Sequence, residues 1–449
     1  MQNPHGSSEL AELGEIRFQP WNVGRWILWG ALALVFALLP LFFSRGFALT
    51  LMSQMGIMIV FALSYGMLLG QTGMLSFGHA VYSGFGAYAA IHAMNRIAAG
   101  TLLWPISLLP LVGGLAGAFF GVVFGYLTTR RAGTPFAMIT LGIGEMVFAA
   151  ALMFPGFFGG EGGVTGNRTA GPPFMGLPWL SWLTFGPQVQ VYGLIAVWCF
   201  VCIVAMYALT QTPLGRIANA VRDNPERAEF IGYNTQRVRW LVLILSSFFA
   251  GIAGGLTAIN FEIVGAESFH AVRSGGVLLA AFIGGAAFFF GPILGAVVFV
   301  VFAIALSDYT KAWQLYLGVF FVLLVLYAPG GLASLLLMNL RVAKFRKFAR
   351  LRDPYVGVLL GGLLLALGVV LLIELTYHVT LDIGQGPLMR LFGLPLDTSA
   401  PGPWVLAAFV LVSGFVAFDY YRRRFARCWH DVQVEIEDWI RENPGDSPR

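Results

Sequence analysis

Runs of about twenty mostly apolar residues recur along nearly the whole chain. They fall at about 26–43, 47–69, 78–94, 104–127, 135–154, 190–209, 238–259, 274–290, 292–307, 312–328, 355–376 and 402–421. A helix needs roughly 20 such residues to cross a bilayer's hydrocarbon. A chain with about twelve of them is an all-α polytopic membrane protein. Only 11% of its residues are charged and 58% are hydrophobic, against about 25% charged in an ordinary soluble domain. A secreted enzyme, a disordered chain and a nucleic-acid binder are excluded on that ground. The net charge of +5 reflects the Lys and Arg that cytoplasmic loops collect.

Those basic residues also orient the chain. Arg130 and Arg131 follow the fourth run. Arg216, Arg222, Arg227, Arg237 and Arg239 follow the sixth. Arg341, Lys344, Arg346, Lys347, Arg350 and Arg352 follow the tenth, and Arg422, Arg423 and Arg424 the twelfth. All fall after even-numbered runs, so both termini are expected in the cytoplasm. The polar residues 1–25 read as a cytoplasmic tail and not a cleaved signal. The runs at 274–290 and 292–307 meet at Gly291-Pro292 and are expected to be tilted or broken, as is the Gly- and Ala-rich run at 78–94.

Chemistry is sparse. The chain lacks a G-x-x-x-x-G-K-[ST] loop and an H-E-x-x-H motif, and its six His are scattered, so neither catalytic residues nor a metal site is expected. Cys199 and Cys202 lie inside an apolar run and read as small core residues. Glu145 sits in the middle of the fifth run. An intramembrane carboxylate costs several kcal/mol and faces a bundle interior or a watery cavity. It reads either as a polar lining of a pathway or as a carboxylate hydrogen-bonded to a neighbouring helix. An ion-coupled secondary carrier using Glu145 is the alternative function, and a structural scaffold a third.

The loop at 210–238 is long and charged. Pro213 suits the start of one short helix and Pro225 the start of a second, with Gly232 at the turn that ends it. The second helix would stand exposed on the cytoplasmic face, suited to docking a soluble partner, or it is a solvated connection. Its Glu226, Ala228 and Gly232 have the spacing of the coupling motif in bacterial ABC importer permeases, although Arg227 takes the place of the usual middle Ala.

Other segments carry the resemblance further. Gly70-Gln71-Thr72-Gly73-Met74-Leu75-Ser76-Phe77-Gly78-His79-Ala80 comes first, then Ile139 to Val147 with Gly159 to Gly166. Phe282 to Gly285 with Gly291 to Ala296 follows, and then Tyr327 to Leu332. In this order, over roughly 47–337, they resemble the LivM-type permeases of the branched-chain amino acid importer family, which includes urea and amide relatives. The resemblance implies a permease core of about ten helices at 26–340. It implies an ATPase-coupling element with Arg222, Glu226, Ala228 and Gly232, and a substrate pathway near Gly78, His79, Tyr82 and Glu145. Gly160, Gly163 and Thr165 would shape an outer loop. It further implies a LivH-type second permease, two cytoplasmic ABC ATPases that bind ATP and Mg, a periplasmic binding protein, and a place in the bacterial inner membrane. No cofactor is expected in this chain.

The region after 340 departs from that pattern. A basic linker at 341–354 precedes two further membrane helices at 355–424, with Asp382 and Asp397 between them. Trp429, Val432, Ile436 and Trp439 then give a cytoplasmic amphipathic tail at 425–449, placed against a partner or against its own bundle.

Overall fold

The computed structural model describes residues 23–43, 45–171, 184–345, 347–381, 386–391 and 394–442. The polar tail up to residue 22, Arg346, Asp382 and residues 443–449 lie outside these. Each of the twelve apolar runs is a helix: α1 Val23–Phe42, α2 Gly46–Thr72, α3 Ala80–Ala98, α4 Leu109–Thr128, α5 Thr134–Met153, then α7 Gln188–Gln211 after the single-turn α6 Pro155–Phe158. The short α8 Pro213–Asp223 and α9 Pro225–Phe230 follow, then α10 Thr235–Phe261, α11 Ala271–Gly284, α12 Gly291–Val300, α13 Trp313–Tyr327, α14 Gly331–Lys344, α15 Phe348–Leu381 and α16 Pro401–Glu442. Among the described residues, seven helices are long and apolar enough to cross a membrane alone. The α13–α14 pair, bent by 49°, makes an eighth, and Trp29–Phe42, Ala271–Gly284 and Gly291–Leu306 are shorter apolar helices.

The core gathers around α10. Within its apolar stretch 83% of residues are buried, because small residues let α3 and α4 close on it. A side chain at Gly251 would meet Gly113 and Gly114 of α4, and one at Gly254 would meet the Ser83 carbonyl and the Ala87 nitrogen of α3. In lipid, where apolar surface gives little drive for association, such backbone proximity carries helix packing.

The break expected at Gly291-Pro292 is present, but the run at 78–94 is not itself broken: α3 is continuous from Ala80 to Ala98, and the chain breaks before it instead. Between α11 and α12 the chain leaves the helix at Gly285 and re-enters at Gly291. The other break lies between α2 and α3. After α2 ends at Thr72, residues 73–79 turn back into the bundle, so α3 begins beside Ser64, eight residues and on the order of 12 Å inside the end of α2. The backbone groups freed there are satisfied by other helices: Phe77 N–H donates to Thr140 Oγ1 at 3.2 Å, and Ala80 N–H to Ser274 Oγ at 2.9 Å. Irregular backbone at membrane depth persists only where it is paired in this way.

At the opposite end of the bundle, two elements too short to read from hydropathy tie the loops together. Val164–Thr165 (β1) pairs antiparallel with Ile263–Val264 (β2), with Val164 opposite Val264. Arg168 holds both chain segments beside them: Nε donates to Phe185 O at 2.7 Å, Nη1 to Ile259 O and Asn260 O, and its own N–H to Glu262 Oε1 at 2.8 Å. Its side chain is 11% exposed. Replacing Arg168 by Met should leave four carbonyls, those of Phe185, Gly186, Ile259 and Asn260, without their charged donor, at about 1.5–3 kcal/mol per hydrogen bond to a charged group before relaxation. The expected outcome is a lower melting temperature and faster proteolysis at 155–171.

The two added helices form a hairpin against the rest. Gly368 would press on Leu411 N at 2.5 Å and Gly414 on Leu365 Cα at 2.6 Å if either carried a Cβ, so α15 and α16 touch backbone to backbone. Tyr316 of α13 donates to Glu374 Oε1 at 2.8 Å and ties the hairpin to the core. Leu388–Leu391 (β3) and Leu394–Asp397 (β4) pair across its outer turn.

The expected linker and tail are more regular than the sequence suggested. Residues 348–354 belong to α15, and the tail continues α16 without a break. At 42 residues α16 is about 63 Å long, roughly twice the hydrocarbon thickness. Its C-terminal third packs on its own chain: Val432 and Ile436 bury with Val342 and Leu351, and Trp439 meets Phe345 edge-on at 5.4 Å. Lys347 Nζ lies 2.6 Å from Glu435 Oε2, and Arg350 pairs with Oε1. These cations hold the Glu435 carboxyl below the usual glutamate range. The contact is therefore complete above about pH 4.3 and is lost as pH falls through the lower folded value. Glu435→Lys should free the tail at neutral pH, seen as new trypsin cleavage at Lys347 and Arg350.

Candidate functional site

The loop at 210–238 folds into two capped helices. Thr212, Asn224 and Asn234 each accept a backbone N–H three residues on, from Gly215, Arg227 and Arg237, the N-cap arrangement these side chains favour. Pro213 and Pro225 occupy first helical positions, where no N–H is needed. Gly232 has φ +93°, a backbone that a side chain would strain. Ala218, Val221 and Ala228 bury against Val238 and Val242, which seats the element on the start of α10.

Of the four coupling residues expected here, Ala228 is that anchor, while Glu226 lies exposed on α9. Arg222 reaches sideways. Its Nη1 donates to Gly70 O, its Nε meets Asp223 Oδ1 at 2.9 Å, and its stem lies against Gly73. One guanidinium thus joins α8 to the point where α2 gives way to the re-entrant segment. Arg222 also lines a cavity of about 300 Å³ with Gln71, Gln211 and Asn219. Sequence reasoning missed the tip of the element: Phe230 is 89% exposed and Ile231 71%. These two large apolar side chains end a capped helix without being buried in the chain's own bundle. The available signal was an apolar pair inside an otherwise charged loop.

The pathway residues separate into two environments. His79 is fully buried, stacked on Phe61 at 5.5 Å and edge-on to Tyr65 and Tyr82 at 5.2 and 5.9 Å. Its Nε2 lies 3.0 Å from Ser64 Oγ, whose single hydroxyl hydrogen goes to Phe61 O at 2.7 Å. Nε2 therefore carries the ring hydrogen, and Nδ1 has no partner. Gly78 lies against the Thr140 backbone, and Gly144 faces Gly78 at 3.6 Å. Gly78, His79 and Tyr82 thus form the packed junction of α2, α3 and α5.

Glu145 is not part of that junction. It follows Gly144 but turns about 100° away from it around α5, is exposed, and makes no hydrogen bond or ion pair among the described residues. Met138, Leu141, Met146 and Met153 are exposed along the same helix. This surface carries a carboxylate at membrane depth, which pure hydrocarbon would not accommodate without several kcal/mol of cost.

The outer-loop residues are pinned. Gly163 at φ +70° lies against the Val264 carbonyl, Thr165 is in β1 and its carbonyl accepts from Asn95 Nδ2 at 2.9 Å, and Gly160 borders Pro155. Cys199 and Cys202 are buried in α7.

The comparisons with known proteins bear on this arrangement. Residues 47–328 match the family described as branched-chain amino acid transport system / permease component. The chain is 29% identical over 319 residues to the high-affinity branched-chain amino acid transport system permease protein LivM of Salmonella typhimurium, covering 67% of this chain and 73% of that protein. It is 28% identical over 310 residues to the Escherichia coli protein of the same name, covering 65% and 71%. It is 26% identical over 217 residues to the fructose import permease protein FrcC of Rhizobium meliloti, covering 45% and 56%. No solved structure matches it.

Proposed function

We infer that this chain, which belongs to the family of permease components of branched-chain amino acid transport systems, is the multi-pass membrane subunit of an ATP-driven ABC importer. Branched-chain amino acids are the proposed cargo, since the LivM proteins share two thirds of the chain. The fructose permease among its relatives indicates that one scaffold serves different solutes. The observation that carries the reading is the capped pair α8–α9 with its exposed tip at Phe230 and Ile231. A rigid element ending in unburied apolar side chains fits a cleft on a soluble subunit.

In this reading two ABC ATPases, which bind ATP and Mg, take up α9 on the cytoplasmic side. Glu226, Ala228 and Gly232 shape that contact, and Arg222 passes its motion to the re-entrant segment at 73–79. A second, LivH-type permease covers the α5 face with Glu145, so that the pathway runs between the two permeases. The packed junction at Gly78, His79 and Tyr82 supports α5 from behind. A binding protein delivers the solute to the side of Arg168 and Gly163, and both termini lie in the cytoplasm. The chain itself carries out no chemistry and binds no cofactor. The ion-coupled carrier built on Glu145 draws no support from these relatives.

The test is purification in mild detergent with identification of what accompanies the chain. A second permease and ABC ATPases are expected. In liposomes the chain alone should move no solute, and transport by the isolated chain would overturn the reading. Glu226→Lys with Gly232→Pro should detach the ATPases. Arg222→Ala should behave differently: the ATPases stay bound while uptake falls at least tenfold, measured as substrate transported per ATP hydrolysed.

A further inference from the structure

We propose that the outer half of this chain holds a binding station for the transported amino acid, with Arg273 taking the carboxylate and Glu267 the ammonium. The proposal rests on the importer reading above. A cavity of about 550 Å³ lies between α2, α10, α11 and α12, within the range of about 300–1,000 Å³ usual for small-molecule sites. Its apolar wall includes Ile57, Phe61, Phe299 and Ile304, and its charged groups are Arg273 and Glu267.

Arg273 donates from Nη2 to Thr257 Oγ1 at 3.2 Å, and its guanidinium carbon stands 5.9 Å from the centre of the Phe61 ring. The hydroxyl and the ring face orient the group without neutralising it. Among the described residues no carboxylate pairs with Arg273, and no cation pairs with Glu267. A guanidinium drawn into an apolar-walled cavity without a counter-charge is costly, and its planar fork matches a carboxylate. Two opposite charges left apart beside an aliphatic and aromatic wall are complementary to a zwitterion with an apolar side chain.

Two further observations point the same way. The helix that supplies Phe299 changes to π geometry at Val301–Leu306, which places Ala303 and Ile304 in the wall. Such distortions recur at functional sites. His270, also in the lining, meets Phe148 of α5 edge-on at 5.0 Å. The cavity is thereby joined to the helix that carries Glu145. A station of this kind holds its ligand weakly, since a pathway site must also release it.

The test uses the assembled importer in liposomes, with Ala303→Cys in a Cys428→Ser background and an impermeant thiosulfonate added from the outer side. Leucine should slow labelling of Ala303→Cys, and isopentylamine, which lacks the carboxylate, should not. Arg273→Gln should raise the half-protecting leucine concentration at least tenfold, with Arg273→Lys between the two. Glu267→Gln should weaken protection by leucine but not by 4-methylpentanoate. ATP hydrolysis stimulated by the binding protein reports assembly of every variant. Equal protection in Arg273→Gln, or no protection in a complex that takes up leucine, overturns the site and leaves the importer reading standing. Protection that follows added phospholipid instead of leucine assigns Arg273 to a lipid phosphate and also overturns it. An assembled complex that takes up no leucine overturns the cargo reading and the site together, which the uptake assay alone distinguishes.

Discussion

Phe230→Asp combined with Ile231→Asp will strip the ATPases from the importer while leaving this chain folded in the membrane. Neither side chain packs on its own bundle, at 89% and 71% exposed, so the fold does not need them. Fully burying a side chain of this size is worth about 1.5–3 kcal/mol. Two of them together account for roughly 3–6 kcal/mol, or two to four decades in the dissociation constant. Placing carboxylates in the same cleft adds a desolvation penalty. Copurification of the ATPases should fall below detection, and uptake should cease. The side-chain N-caps at Asn224 and Asn234 are untouched, so the amount of chain in the membrane should match the unsubstituted protein. Stoichiometric ATPase in the double variant would remove α9 from the contact.

Gly254→Leu is expected to have the largest effect on the bundle itself. A Cβ there would meet the Ser83 carbonyl and would stand 2.8 Å from the Ala87 nitrogen. Overpacking a core against side chains costs about 1–3 kcal/mol and occasionally more. Here the obstacle is the backbone of α3, which cannot rotate away as a side chain can. The α3–α10 crossing must open, and α4, seated on the same helix through Gly251, loses its register with it. The chain should fail to elute as a single species in detergent or should lose its melting transition. Gly318→Leu is the matching control. It adds the same side chain to α13 at a position with no heavy atom within 4 Å, and should leave elution and melting unchanged.

How far the sequence could be read depended on what lipid asks of it. Hydropathy located every long helix, because each must be apolar for about twenty residues whatever it packs against. The short helices at Pro213 and Pro225 were legible from the local chemistry of caps and prolines. Facing was not legible. In a soluble helix the polar side marks the outside, but α5 is apolar on both sides, so Glu145 could be placed at mid-span and not on a face. Depth was hidden for the same reason: nothing in the Gly70 to Ala80 stretch states that α3 starts inside the bundle beside Ser64. Arg168 was not singled out, because its partners are carbonyls from residues 185, 186, 259 and 260, which no pattern in its own neighbourhood reveals. Arg273 and Glu267 stand just before the apolar run at 274–290, where charges are ordinary and draw no notice. Glu374 passed unnoticed although it too is a carboxylate in a membrane run, and its partner Tyr316 lies 58 residues away.

The unbroken α16 makes the tail's placement a matter of phase. Each residue of an α-helix turns the next by about 100°. Deleting one residue between Arg422 and Arg427 would swing Val432, Ile436 and Glu435 around the axis, away from Val342 and Lys347, while every contact inside the bilayer stayed as it is. Removing seven residues, nearly two full turns, would restore the direction but draw the tail about 10 Å toward the membrane. Length changes in this segment are therefore not graded. Most insertions and deletions would release the tail altogether, and the few that preserve its bearing would alter how far it stands from the bilayer.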